Sequence, residues 1–138
     1  MDEKELIFDW NAIDYDIKRK SSNHPHDVWF DDETLRDGLQ SPSARNPTID
    51  EKIELIDYME KLGIQKVDLG LPGAGPFHVK HIDSMLTHMT ENSYELRPGC
   101  AVRTVVDDIR PLVDLQAKHE RQIQASAFLG TSPIRQYT

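Results

Sequence analysis

Apolar positions along this chain recur with two different spacings, and the alternation between them predicts the architecture. Leu6, Trp10, Ile13 and Ile17 mark one face of an amphipathic helix. The polar face of that helix is mostly Asp and Glu, which suits packing against protein rather than lying on a membrane surface. Residues 18–27, KRKSSNHPHD, read as a linker. Val28, Trp29 and Phe30 then predict a short strand, and residues 31–45 contain Gly38 and Pro42 and are too rich in breakers for regular structure. Thr48 followed by Glu51 is a capping box, and Ile49, Ile53, Ile56, Met59 and Leu62 keep the helical period until Gly63 ends it. A second strand is expected over residues 66–69, then a Gly/Pro loop from Gly70 to Pro76, and a helix over about 77–89 with Pro76 at its first position. A third strand fits residues 100–103. A helix then runs through Val105, Ile109, Leu112, Val113 and Leu115 to about Glu120, and a fourth strand covers residues 123–129.

Strands and helices alternating over short connections predict right-handed βαβ units on a parallel sheet. Such a unit can belong to a small open sheet or to a (β/α)8 barrel, and the polar residues choose between them. Arg36 and Asp37, Asp68, Arg103, and Thr131 and Ser132 all fall at the C-terminal ends of predicted strands, where a barrel gathers its active site. The expected fold class is therefore α/β, the N-terminal half of a (β/α)8 TIM barrel with about four strands and three helices, preceded by an amphipathic helix. A complete barrel takes roughly 250 residues, and this chain has 138. The division expected is a helix and linker over 1–27 and a partial barrel over 28–138, truncated at its C-terminal side. No internal repeat or low-complexity tract interrupts this order.

Charge narrows the partners. Against 16 Lys and Arg stand 24 Asp and Glu, a formal net charge of −8, so nucleic acid is not an expected partner. No run of about 18 apolar residues predicts a membrane span. The opening Met-Asp-Glu-Lys-Glu is not a secretory leader, and a cytoplasmic address is expected. Cys100 is the single cysteine; it can form no internal disulfide and no Cys-based zinc site.

The densest chemistry lies in Asp31-Asp32-Glu33-Thr34-Leu35-Arg36-Asp37-Gly38-Leu39-Gln40. A hard carboxylate such as Asp37 suits a divalent cation that polarises a ketone as a Lewis acid. The planar charge of Arg36 can hold oxyanion or enolate character in a transition state. Gln40 can donate to the same substrate. The same Arg-Asp pair could equally lock a loop at a barrel rim.

This stretch resembles the D-x-T-L-R-D-G-x-Q signature of the 2-isopropylmalate synthase and homocitrate synthase family, which includes hydroxymethylglutaryl-CoA lyase. Val67-Asp68-Leu69-Gly70-Leu71-Pro72 looks like the family's E-x-G-x-P at strand two. Arg103 with Asp108-Ile109 looks like its strand-three arginine and following D-I, and the stretch FLGTSPIR over 128–135 looks like its T-S motif. The resemblance covers residues 28 to 137. It implies Arg36 as catalytic residue, Asp37 as ligand of a divalent metal (Mg, Mn or Zn), and Arg36, Gln40, Asp68, Arg103, Thr131 and Arg135 as substrate-binding. It also implies a 2-oxo acid and acetyl-CoA as substrates, and a homodimer in the full-length form.

Some features depart from the pattern. Asp68 stands where the family has glutamate, which withdraws the carboxylate by roughly 1.5 Å, a displacement large enough to cost rate. Arg135 follows the T-S pair as in the homocitrate synthase subgroup, where such an arginine is associated with a second substrate carboxylate; bidentate capture and a rim salt bridge both suit it. The family's late-strand H-x-H has no counterpart. His24-Pro25-His26 has the spacing but precedes the first strand, and His78, His81 and His88 fall on an outer helix, where solvated histidines outnumber ligands. Gly70-x-x-Gly73-x-Gly75 lacks the phosphate-loop ending and reads as a tight βα turn. Three functions stay open: a metal-dependent Claisen condensation of acetyl-CoA with a 2-oxo acid, carbon-carbon cleavage on the same scaffold, and a noncatalytic interaction module keeping the signature. The Gly70-Leu71-Pro72 turn favours the synthases.

Overall fold

The computed structural model describes residues 29–137. The helix expected from Leu6 to Ile17, the linker over 18–27, Val28 and the His24-Pro25-His26 triplet lie outside the described residues. Those described fall into two compact units, one over Trp29–Phe128 and another to which residues 129–137 belong.

In the first unit four parallel strands follow sequence order across one sheet: β1 (Asp31–Asp32), β2 (Lys66–Asp68), β3 (Arg97–Arg103) and β4 (Gln124–Phe128). Helices α1 (Ile49–Leu62), α2 (Pro76–Glu91) and α3 (Val106–His119) connect them. In the second unit α4 spans Pro133–Tyr137. Successive strands pair with their immediate neighbours, the arrangement of consecutive βα units in part of a TIM barrel.

The capping box forms as the sequence predicts: the Thr48 hydroxyl accepts from the Glu51 backbone N–H at 3.3 Å, and the Glu51 carboxylate accepts from the Thr48 N–H at 2.8 Å. Gly63 closes α1 in the left-handed region at φ 72°, its N–H returning to Glu60 and Met59 carbonyls. Leu62, expected on the apolar face, is exposed, because the helix ends before another element can cover its last turn.

Two strands begin elsewhere than expected. β1 consists of two aspartates, and of the residues expected in it Trp29 and Phe30 lie before it; the Lys66 N–H bonds to the Phe30 carbonyl at 3.1 Å, and pairing proceeds onward from there. Backbone pairing to β2, not side-chain hydrophobicity, sets this register. β3 starts at Arg97 instead of Cys100. Pro98 is admitted because the ladder to β4 begins only at Gly99, opposite Gln124, so the missing proline N–H breaks no sheet bond.

The strands' period of two sorts side chains to opposite faces. Val67, Cys100 and Val102 share one face, by the register of Val67 with Pro98, and are completely buried with Ile56, Ile82, Met85 and Leu86 of the helices. Asp68, Gly99, Ala101, Ser126 and Phe128 share the other. The residues of β4 are exposed or half-buried, and it pairs with β3 alone among the described residues.

Candidate active site

The loop after β1 is shaped by its own polar groups. The Asp32 carboxylate accepts from the Thr34 N–H at 2.8 Å, and the Glu33 carbonyl takes N–H bonds from Arg36 and Gly38 at 3.2 and 3.1 Å. Leu35, 3% exposed, pins the loop to the core. Arg36 is thereby held among three carboxylates. Its Nε donates to Glu33 Oε2 at 2.9 Å, its Nη2 lies 2.7 Å from the same oxygen, Nη1 reaches Asp37 at 3.4 Å, and Nε is 3.7 Å from Asp68 Oδ2. The sequence pattern singled out Asp37 as the partner of Arg36; the shorter bonds go to Glu33, a relation legible as an i, i+3 acid-base pair.

Asp68 ends β2 and is 2% exposed. Its Oδ1 accepts from the Gly70 N–H at 2.9 Å, while Oδ2 is buried without a hydrogen-bond partner. Burial pushes this carboxyl above its ordinary pKa; the Gly70 N–H opposes that, Glu33 adds to it, and Arg36 and the Ala101 N–H draw it back. A buried carboxylate oxygen facing an arginine without a bond is a costly arrangement for a fold and a useful one for a site. Cys100 is buried nearby. Desolvation, with the Asp68 charge second, drives its thiol pKa far up, so it is no nucleophile.

Arg36 and Gln40 line a concavity of about 420 Å³ with Leu71, Ala101, Ser126 and Phe128. It opens on the sheet face carrying Asp68, at the C-terminal ends of the strands. Ser126, opposite Ala101 in register, escaped sequence reasoning because a lone serine in an apolar strand carries no motif. Arg103 is engaged: Nε and Nη2 each donate to Asp108 at 2.7 Å, and its backbone N–H adds a bond of 3.0 Å. Those bonds hold the Asp108 carboxyl below its ordinary range. A Cβ at Gly73 would overlap Asp108, so this glycine serves close packing of the β2 turn on α3 rather than a phosphate. Thr131 and Arg135 belong to the second unit, where the Thr131 carbonyl accepts from the Gln136 amide at 2.6 Å and the Arg135 N–H bonds to the Ser132 carbonyl at 2.9 Å.

For a metal, the exposed Asp37 carboxylate is a suitable hard oxygen donor. No group of three His, Cys, Asp or Glu side chains able to hold an ion occurs among the described residues. The donor set here thus fits part of a metal site and not a whole one. His88 is no ligand candidate: its Nε2 is 2.7 Å from Asp57 Oδ1, to which Tyr94 also donates at 2.7 Å.

Parallel βα units with charged residues gathered beyond the carboxyl ends of their strands define the class of (β/α)8-barrel domains. The chain belongs to the HMGL-like family, whose model matches residues 27–137. It is similar to the 2-isopropylmalate synthase of Streptococcus gallolyticus, 35% identical over 111 residues that make up 80% of this chain and 20% of that protein. The enzyme of the same name from Neisseria meningitidis is 32% identical over 104 residues, 75% of this chain and 19% of the other. The chain thus spans about a fifth of the length of the curated relatives it matches. No helix among the described residues is long and apolar enough to cross a membrane.

Proposed function

We propose that this chain contributes one wall of the active site of an acyltransferase that condenses acetyl-CoA with a 2-oxo acid, a reaction of the 2-isopropylmalate synthase type. The observation that supports it best is the Arg36 guanidinium, held by Glu33 and Asp37 beside the orphaned Asp68 oxygen, at the edge of an open concavity. Arg36 is the catalytic residue in this reading: its fixed planar charge stabilises the oxyanion that develops as the ketone is attacked. Gln40 orients the substrate from that concavity, and Asp68, Arg103, Thr131 and Arg135 are the further substrate-binding residues of this reading. Asp37 would supply one oxygen to a divalent cation, the described residues offering no complete ligand set; bound there, the cation would contribute Lewis-acid polarisation of the ketone. Cytoplasmic location and a homodimer belong to the same proposal.

The test is an assay of the complete enzyme for thiol release from acetyl-CoA that depends on an added 2-oxo acid. Condensation releases free thiol, and Asp37→Asn, which keeps the shape and removes the charge, abolishes it even with saturating metal. Thiol release that ignores the 2-oxo acid, or near-normal turnover of Asp37→Asn, overturns the reading. Cleavage of a hydroxyacyl thioester without condensation would move the assignment to a lyase.

A further inference from the structure

A second cavity of about 290 Å³ lies between the Arg36 loop and the first two helices, lined among others by Asn46, Lys52 of α1, and His78 and His81 of α2. Arg36 and Gln40 line both this cavity and the active-site concavity. Lys52 is 5% exposed, and among the described residues its ammonium has no hydrogen bond or ion pair. Burial lowers its pKa and no acidic group opposes that shift. His81 presents a buried Nδ1 that also has no hydrogen-bond partner. Its imidazole packs on Phe77 at 4.2 Å between ring centroids. Desolvation first, then the charges of Lys52, His78 and Lys80, lowers its pKa.

A lysine 5% exposed as a residue and without a counter-charge is costly for a fold to hold. In a chain with eight more acids than bases, balancing it with a carboxylate would be simple, yet none does. One small cavity is thus lined by Arg36, Lys52, His78 and His81 with no acidic side chain among its walls, and the complement of that arrangement is an oxygen-rich anion.

We propose that this cavity binds a small oxyanion, a carboxylate or a phosphate group, with Lys52 Nζ and His81 Nδ1–H as its donors and the Asn46 amide at its wall. The anion can be free in solution or be the distal group of a substrate whose reacting end lies on the other side of Arg36. The inference stands on the cavity's own residues and does not require the acyl-transfer reading.

Thermal unfolding of the chain with added inorganic phosphate or malonate tests it, with chloride at equal ionic strength as control. The wild-type midpoint rises with at least one probe, with the logarithm of its concentration above Kd, as expected for a ligand of the folded state. A response to phosphate alone assigns a free phosphate-type anion; a response to malonate alone or to both assigns a carboxylate-competent site open to substrate. Lys52→Met weakens apparent affinity at least tenfold while its probe-free midpoint equals or exceeds the wild type, since it removes a charge that has no counter-ion in a largely buried side chain. Should Lys52 instead be a structural donor, the variant melts lower and neither probe acts on the wild type, which overturns the proposal. Nitrogen-15 spectra of wild-type His81 need no variant: the probe moves the Nδ1 resonance and raises the ring's titration midpoint, and an unmoved resonance at saturating probe also refutes it.

Discussion

At the scale of single residues the site is built from groups whose partners compete. Arg36 shares its guanidinium among Glu33, Asp37 and Asp68, so its orientation depends on a planar fork that an ammonium cannot imitate. Arg36→Lys in the complete enzyme should therefore lower turnover by about 10²–10³-fold, as for removal of an oxyanion donor, with little change in the Michaelis constant. A loss confined to the Michaelis constant would show uniform substrate binding instead. Asp68 carries the opposite imprint, a carboxyl whose pKa is raised chiefly by burial. A group with a raised folded-state pKa costs stability once the pH exceeds its unfolded value, near 4. Asp68→Asn keeps the bond to Gly70 and carries no charge, so its melting midpoint relative to wild type should be higher at pH 7 than at pH 3.5. A difference that stays constant across that range would refute the buried-charge account.

Among the elements, α1 has the most complete local description. Its capping box is joined by Arg45, whose guanidinium bonds both Glu51 oxygens at 2.8 and 2.5 Å. The Arg45 bond first, then the Thr48 N–H, depresses Glu51 to a pKa of about 2. A depressed carboxyl stabilises the fold above its unfolded pKa, and that contribution fades as the pH falls from about 4 toward 2. Thr48→Ala should cost about 1 kcal/mol in denaturant unfolding at pH 7, and the penalty should shrink below pH 3 as Glu51 protonates in both proteins. An equal penalty at both pH values would separate the cap from its acid. The third helix teaches the reverse lesson. Val106, Ile109 and Val113 fit its apolar period, but all are exposed, while Leu112 and Leu115 are buried; period identifies a helix and says nothing of how many of its faces find a partner.

For the whole molecule, two surfaces have no partner among the described residues, one face of α3 and the outer edge of β4. β4 pairs on one side only among the described residues, and Phe128 is exposed. Unpaired strand edges and clustered exposed apolar residues favour association. The 138-residue polypeptide should thus self-associate at micromolar concentration, and Val113→Lys should weaken that association without lowering the midpoint of unfolding. Multi-angle light scattering across a dilution series checks it; a monomer at every concentration would mean the exposed face carries no adhesive surface.

Helix and strand order and the α1 boundaries at Thr48 and Gly63 were legible from the chain, because each rests on neighbours within a few residues: a hydroxyl and a carboxylate three apart, a glycine free to take a positive φ, apolar side chains at a fixed period. Tertiary structure decided what depends on distant partners. It placed β1 on Asp31 and Asp32 because Lys66 bonds to Phe30, and carried β3 back through Pro98 because β4 pairs only from Gly99 onward. It also left Lys52 buried inside a helix whose pattern marks that position as polar. Spacing records which way a residue faces along its own element, whereas burial, charge balance and register are set by whatever lies across from it.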